Sequence, residues 1–341
     1  MTNIRSQHSS FMPLLMAAAC WIVACGSGHA CNVPVFRYAL ERWQPDACDI
    51  IVFHDIALTD VQRDFIQTVR SGSASGGGTA NAKVVVQQTD AAMDNATALL
   101  WDELRQRTDV RLPYVVVRST IGNGRTINNW RGPLKDAAAA GLLSSPVRTR
   151  LAQRLVTGTS AVWIVLKSDN AKRNAEVLEL LNTELENLSK KIPLPDGIGL
   201  PGSELFSEIP LLMKFSVLEV DANDPHERFL VSLLTGFEPD TFRKGIPLVV
   251  PVFGRGRALE VIPAERVDAG LIEDLTLFLC GACSCQVKEQ NPGFDLLIST
   301  AWNRELFGDN ADDVAAELKS SSKDVQLPEL LVIPPGKNRS R

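Results

Sequence analysis

The sequence predicts an α/β protein made of two successive units on one plan, each a mixed sheet with helices on both faces. Three observations carry that expectation. Short apolar runs with strand character alternate with stretches of helical period along most of the chain. Two strand pairs each open on a proline, LPYVVVRSTIGNGRTIN from Leu112 and IPLVVPVFGRGRALEVI from Ile246, so one supersecondary element recurs in each half. The composition, 45% hydrophobic and 22% charged over 341 residues, is that of a globular chain long enough for two cores.

In the first half, Val33–Ala39 and Asp49–Phe53 read as strands and Thr59–Val69 as a helix capped by Thr59 or Asp60. Ala82–Gln87 is a strand, and Asn95–Arg107 an amphipathic helix with Leu99, Leu100 and Leu104 on one side. The hairpin led by Pro113 turns at Gly122-Asn123-Gly124. In the second half Pro146–Val156 is a helix capped by Ser145, Ser160–Leu166 a strand and Ala171–Lys190 a long helix. Leu211–Val220 is a strand, Pro225–Leu234 a helix, and the Pro247 hairpin passes through Gly254-Arg255-Gly256 to a closing helix, Ala264–Cys280, with Gly281 as its C′ residue. Ser71–Thr79 (SGSASGGGT) reads as a flexible loop, without the lysine of a phosphate loop, and Pro193–Pro210 as a second loop. Beyond Cys285 a short apolar piece, Leu296–Ser299, and a helix, Val314–Lys319, precede a Pro-, Ser- and Lys-rich tail.

The first residues read as a targeting signal. Met1–Ser10 is polar and carries Arg5, and Phe11–Ala24 is an apolar run short of a bilayer span. Two cleavages fit: after Ala30, in Gly28-His29-Ala30, or before Cys25, where Ile22-Val23-Ala24-Cys25 resembles a lipobox that would lipidate Cys25. An uncleaved anchor is the third alternative, and each places the protein in the periplasm or cell envelope. The expected division is therefore a signal over 1–30, units over 31–145 and 146–285, and a C-terminal extension over 286–341. A formal charge of −5 without a basic block excludes an electrostatic nucleic-acid partner. Membrane contact would come through Cys25, and a protein partner in the envelope is expected.

The order β-α-β-α-β-α-β-β-α, with Pro113 and Pro247 opening the hairpin strands, resembles the thioredoxin fold, in two copies over Val33–Cys280. The second copy borrows Pro146–Val156 as its first helix. The resemblance implies that Pro113 and Pro247 are cis prolines. It also implies a Cys-x-x-Cys pair after the second strand, at a helix N-terminus that would lower the thiol pKa. Those places hold Phe53-His54-Asp55-Ile56-Ala57 and Lys167-Ser168-Asp169-Asn170, without cysteine. ACNVPVFRYALERW and CSCQVKEQNPGFDLL are also similar to a family of exported planctomycete proteins, which implies localisation and no activity.

The remaining candidates follow from residue chemistry. His54 with Asp55 could form an acid/base pair facing Pro113, or simply end a strand. Lys167–Asn170 reads as a helix start rich in capping side chains, and Glu41-Arg42-Trp43 as an exposed ion pair beside a half-buried indole. Export makes disulfides available. With the leader removed, Cys31, Cys48, Cys280, Cys283 and Cys285 remain, an odd number. The Cys280, Cys283, Cys285 cluster can be read as a redox pair, as soft ligands for copper or zinc, or as a disulfide staple with one bond among the three or one to Cys31 or Cys48. The helix C-terminus at Cys280 disfavours a thiolate, so the structural role is the expectation and no cofactor is expected. The function this favours is a redox-inactive binding or scaffold module. The alternative is a thiol-disulfide oxidoreductase or metal-binding protein using the cysteine cluster.

Overall fold

The computed structural model describes residues 32–121, 125–137, 139–283 and 287–321. Ala30, Cys25, Cys31, Cys285 and the Gly122–Gly124 turn lie outside them. The chain is α/β with two mixed sheets. The elements run α1 Val35–Arg42, β1 Cys48–His54, α2 Asp60–Gly72, β2 Ala82–Gln88, α3 Asn95–Leu104, β3 Tyr114–Ile121, β4 Arg125–Pro133 and α4 Leu134–Ala137. They continue as α5 Pro146–Val156, β5 Ala161–Lys167, α6 Ala171–Lys191, β6 Phe215–Asp221, α7 Arg228–Phe237, α8 Pro239–Arg243, β7 Leu248–Phe253, β8 Arg257–Ala258 and β9 Ile262–Pro263. Last come α9 Ala269–Cys280, β10 Phe294–Asp295, α10 Trp302–Phe307 and α11 Ala311–Ser321.

The first sheet has the order β2-β1-β3-β4 and the second β10-β8-β7-β5-β6, with β9 beside β7. The two share a pairing pattern. β1 is parallel to β2 and antiparallel to β3, which pairs antiparallel with β4, and β5, β6, β7 and β8 repeat this. The two prolines occupy matching places: Pro113 O accepts from Leu134 N–H at 2.8 Å and Pro247 O from Ala264 N–H at 2.9 Å. Their isomers differ. Leu112–Pro113 is cis, whereas Ile246–Pro247 is trans, contrary to expectation. Gly245, at φ +73°, supplies a left-handed turn before the second hairpin, and no glycine stands at that point before the first.

The first segment is a helix where a strand was expected. Val33 and Pro34 pair with Cys283 and Ala282, and α1 then packs into the second unit's core beside Phe253, Leu259 and Leu279 rather than on the first sheet. An apolar run this short has no decisive period, and burial on all sides decided it. Ala39 lies so close to Gly254 (φ +58°) that a Cβ there would meet the Ala39 Cβ at 2.7 Å. Other corrections are smaller. Leu99 faces solvent, while Leu100, Trp101 and Leu104 reach the sheet. The last helix begins at Ala269, capped by Asp268 after a 3-10 turn, and Gly281 is extended because its N–H continues the helical bond to Leu277 O. Ser71–Thr79 is a closed turn with Ser73 buried and Gly78 N–H bonded to Ser73 O.

Residues 287–321 are part of the body rather than an appendage. Phe294–Asp295 adds an edge strand to the second sheet. Beyond it Leu296 and Ile298 enter the second unit's core while Leu297 enters the first, the alternation of an extended chain lying between two apolar faces. The buried Arg148 guanidinium fastens this seam, donating to Leu142 O at 3.0 Å, Leu297 O at 2.6 Å and Gly141 O. Phe229 of α7, under that guanidinium, fills the first unit's core.

In Glu41-Arg42-Trp43 the carboxylate and the indole are buried and Arg42 is half-buried, so the ion pair is not exposed. The Glu41 carboxylate receives Arg37 Nε at 2.8 Å, Arg42 at 3.2 Å, and the N–H groups of Phe206 and Ser207 at 3.1 Å each. Arg255, in the hairpin turn, donates to Leu40 O, Glu41 O, Gln44 and Asn303. Arg257 and Lys288 share the Asp295 carboxylate, at 3.2 and 2.5 Å, and Lys288 also reaches Asp46.

Two stability outcomes follow. Glu41→Ala leaves the buried Arg37 charge unpaired, so it should cost about 3–5 kcal/mol in urea unfolding. Gly254→Ala meets both the positive φ and the Ala39 contact, so it should cost roughly 1–3 kcal/mol by the same measurement.

Candidate functional site

The carboxyl end of β1 is where strand order places ligands in open α/β sheets, and it carries the first unit's candidates. Phe53 pairs with Tyr114, so one step further along the register His54 stands opposite Pro113. His54 is half-buried and its ring bonds Ile56 O at 2.9 Å. A carbonyl only accepts, so Nδ1 carries the proton. Asp55 Oδ1 accepts from Ile56 N–H at 2.9 Å, so both side chains turn to the local backbone and no His54–Asp55 acid/base pair forms. The N-terminus of α2 is closed by a capping box: Thr59 Oγ1 accepts from Gln62 N–H at 3.3 Å and Gln62 Oε1 from Thr59 N–H at 2.9 Å. In the same segment two aliphatic side chains face water, Ile56 at 72% exposure and Val61 at 78%, while Leu58, Leu112 and Pro113 are half-buried. No pattern in the sequence marks Ile56 and Val61 as exposed, since in letters they are ordinary core residues.

The matching place in the second unit is closed by polar bonds. Ser168 Oγ donates to Gly245 O at 2.9 Å, and Asn170 Oδ1 caps α6 by accepting from Arg173 N–H at 3.1 Å. That segment is a helix start.

The cysteines lie in two different cores. Cys48, the first residue of β1, is a free thiol at 1% exposure, 3.0 Å from Ser119 Oγ, which Asn129 Nδ2 also reaches at 2.7 Å. Burial pushes its pKa up to about 11, only partly offset by the Ser119 bond. Cys280 is a free thiol at 2% exposure at the end of α9, pushed up to about 12 by burial. Cys283 packs with Cys280 against Val33 and Phe36, while Cys48 packs with Ile50, Val115 and Trp130. The fold therefore does not bring Cys48 to the Cys280 and Cys283 pair, either as a disulfide partner or as a fourth ligand. Among the described residues no three His, Cys, Asp or Glu side chains converge as a metal shell, and Cys285 lies outside them. Thiolates are the nucleophiles and ligands, and burial holds the Cys48 and Cys280 sulfurs protonated.

No protein-family model and no curated protein matches the chain. Among the described residues no helix is long and apolar enough to cross a membrane.

The thiol environments set a pH dependence. Both folded pKa values are raised above the ordinary 9.0, so the stability they contribute is full below about pH 9 and is lost as pH rises toward 11–12. Unfolding free energies from urea titrations should fall between pH 8 and 11, by about 2–3 kcal/mol from Cys280 alone. Cys280→Ala, compared with its own pH 8 value, should fall less, and native protein at neutral pH should leave Cys48 and Cys280 unalkylated.

Proposed function

We propose that the chain is an exported, redox-inactive binding module of two thioredoxin-like units, which holds an apolar segment of a cell-envelope protein at the carboxyl end of β1. The observation that carries this reading is the pair Ile56 and Val61, facing water where a thioredoxin-type enzyme would hold its cysteine pair. The capping box has already taken helix N–H groups that would otherwise stabilise an anion there. What remains is exposed aliphatic surface at Ile56 and Val61, suited to apolar contact rather than to proton or electron transfer. The shared strand pattern of the two sheets supports two copies of one unit. The rival reading, redox or metal chemistry at the cysteine cluster, has against it the burial and high pKa of Cys280.

The test places a photoreactive benzoylphenylalanine at position 56 and, as control, at exposed position 240, in cells that export the protein. A discrete adduct from position 56 alone, lost when Val61→Asp is added, is the expected result. Purified protein should reduce a disulfide substrate no faster than dithiol by itself. Dithiol-dependent turnover above that background, or equal labelling from both positions, would overturn the reading.

A further inference from the structure

The ionic groups beyond the end of α1 enclose a cavity whose walls carry unequal charge. Trp43, Gln44, Arg255, Arg257, Lys288 and Asp295 line a space of about 10 Å³, room for one atom the size of a water oxygen. Three of these side chains are cations, Arg255, Arg257 and Lys288, each at 9% exposure or less, and one is a carboxylate, Asp295, at 6%. Two further carboxylates act on the cations, and neither balances them. Asp46, 2.8 Å from Lys288, is exposed to water. Glu41 attracts Arg255, but its oxygens already receive Arg37 and Arg42. Among the described residues positive charge is therefore in excess where water is nearly excluded, which is costly without a counter-charge. Burial lowers Arg255 to about 10, so at neutral pH it does not relieve the excess by losing its proton. Donors remain as well. Of the five N–H groups of a guanidinium, Arg257 uses three, on Pro292 O, Asp295 and Asn291 O. Arg255 uses four, on Leu40 O, Gln44, Asn303 and Glu41 O.

We propose that this cavity binds one halide ion, chloride in ordinary media, held by the remaining N–H groups of Arg255 and Arg257 beside the charge of Lys288. Size selects the anion. A phosphate or a carboxylate brings several heavy atoms and does not fit a one-atom space, whereas a halide does. Water fits too, but it supplies no charge. Gln44 lines the cavity and is itself exposed, so the site opens to solvent on that side. The position gives the ion a structural role. Arg255 holds the last carbonyls of α1, and Arg257 and Lys288 hold the segment from Lys288 to Asp295. A bound halide thus links the joining of these segments to halide concentration. This site is separate from Ile56 and Val61, and the inference does not rest on the reading of that surface.

The experiment is thermal unfolding of the full chain at constant sodium and ionic strength, with gluconate replaced stepwise by chloride. Gluconate is too large for the cavity and serves as the inert anion. The matched variant is Gln44→Glu. Residue 44 is exposed and its Oε1 already lies 3.0 Å from Arg255 Nη1, so this isosteric change adds a carboxylate at the cavity without threatening the fold. Expected is a wild-type midpoint that rises roughly 2–4 °C for each tenfold increase in chloride above the dissociation constant. The Gln44→Glu midpoint should start at or above the wild-type value in gluconate and stay level, because the counter-charge is then built in. A wild-type midpoint that does not rise with chloride would overturn the proposal, since the cavity would then hold water. An equal rise in both proteins would overturn it too, since chloride would then act on the surface as a whole.

Discussion

The structure depends on arginine and lysine side chains that direct their N–H groups at main-chain carbonyls where chain segments meet. A short helix such as α1 ends with several carbonyls lacking partners, and burying that end requires a donor. Arg255 is that donor, bonding Leu40 O and Glu41 O at the end of α1 while also reaching Asn303 of α10. Arg37, Arg257, Lys288 and Arg148 do the same for Ser207, for Asn291 and Pro292, for Gln44, and for Leu142 and Leu297. A guanidinium has five donors in a fixed plane, which lets one side chain pin two or three segments at once. Burial lowers both Arg255 and Arg148 to about 10, so they stay charged at neutral pH and keep every donor.

Among the described residues this arrangement holds the junction where a disulfide was expected. A disulfide would have been one way to hold the end of α9 against the start of the chain. In the described residues that junction is made by backbone pairing of Val33, Pro34 and Val35 with Cys283, Ala282 and Gly281, and by the ionic cluster beside it. Cys280 acts there as a small apolar side chain, as Cys48 does in the core of the first sheet. The carboxylates Glu41 and Asp295 are shared between cations, and the cations also hold carbonyls, so the cluster ties together α1, the β7–β8 turn and the segment from Lys288 to Asp295. A cluster built this way fixes relative position more than it adds stability, because desolvation offsets much of the attraction.

The seam between the two units follows the same logic. Residues Leu296 to Ile298 alternate between the two cores, and Phe229 from the second unit completes the core of the first. Neither sheet keeps its apolar face covered by its own helices alone. The first unit's carboxyl end is then the part of its sheet least used by this packing. Ile56 and Val61 are exposed there, and among the described residues they belong to neither sheet's core.

What the sequence determined by itself is the part governed by local rules. Thr59, Asn170 and Ser145 cap the helices that follow them because a side-chain oxygen two or three residues ahead is enough to satisfy an N–H. The paired hairpins and the alternation of strand and helix were legible because side-chain period and proline position act over a few residues. The absence of cysteine from both strand-to-helix turns was legible too. Tertiary structure decided the rest. Val33–Ala39 is too short and too uniformly apolar for its period to choose, although Arg37 and Glu41 at helical spacing carried a faint signal. Leu99 and Val61 have the letters of core residues and lie outside, while Glu41 and Arg255 have the letters of surface residues and lie inside. Burial is a property of what arrives from elsewhere in the chain. Leu40 and Glu41, whose carbonyls Arg255 holds, lie about two hundred residues upstream, and no local pattern records such a distance.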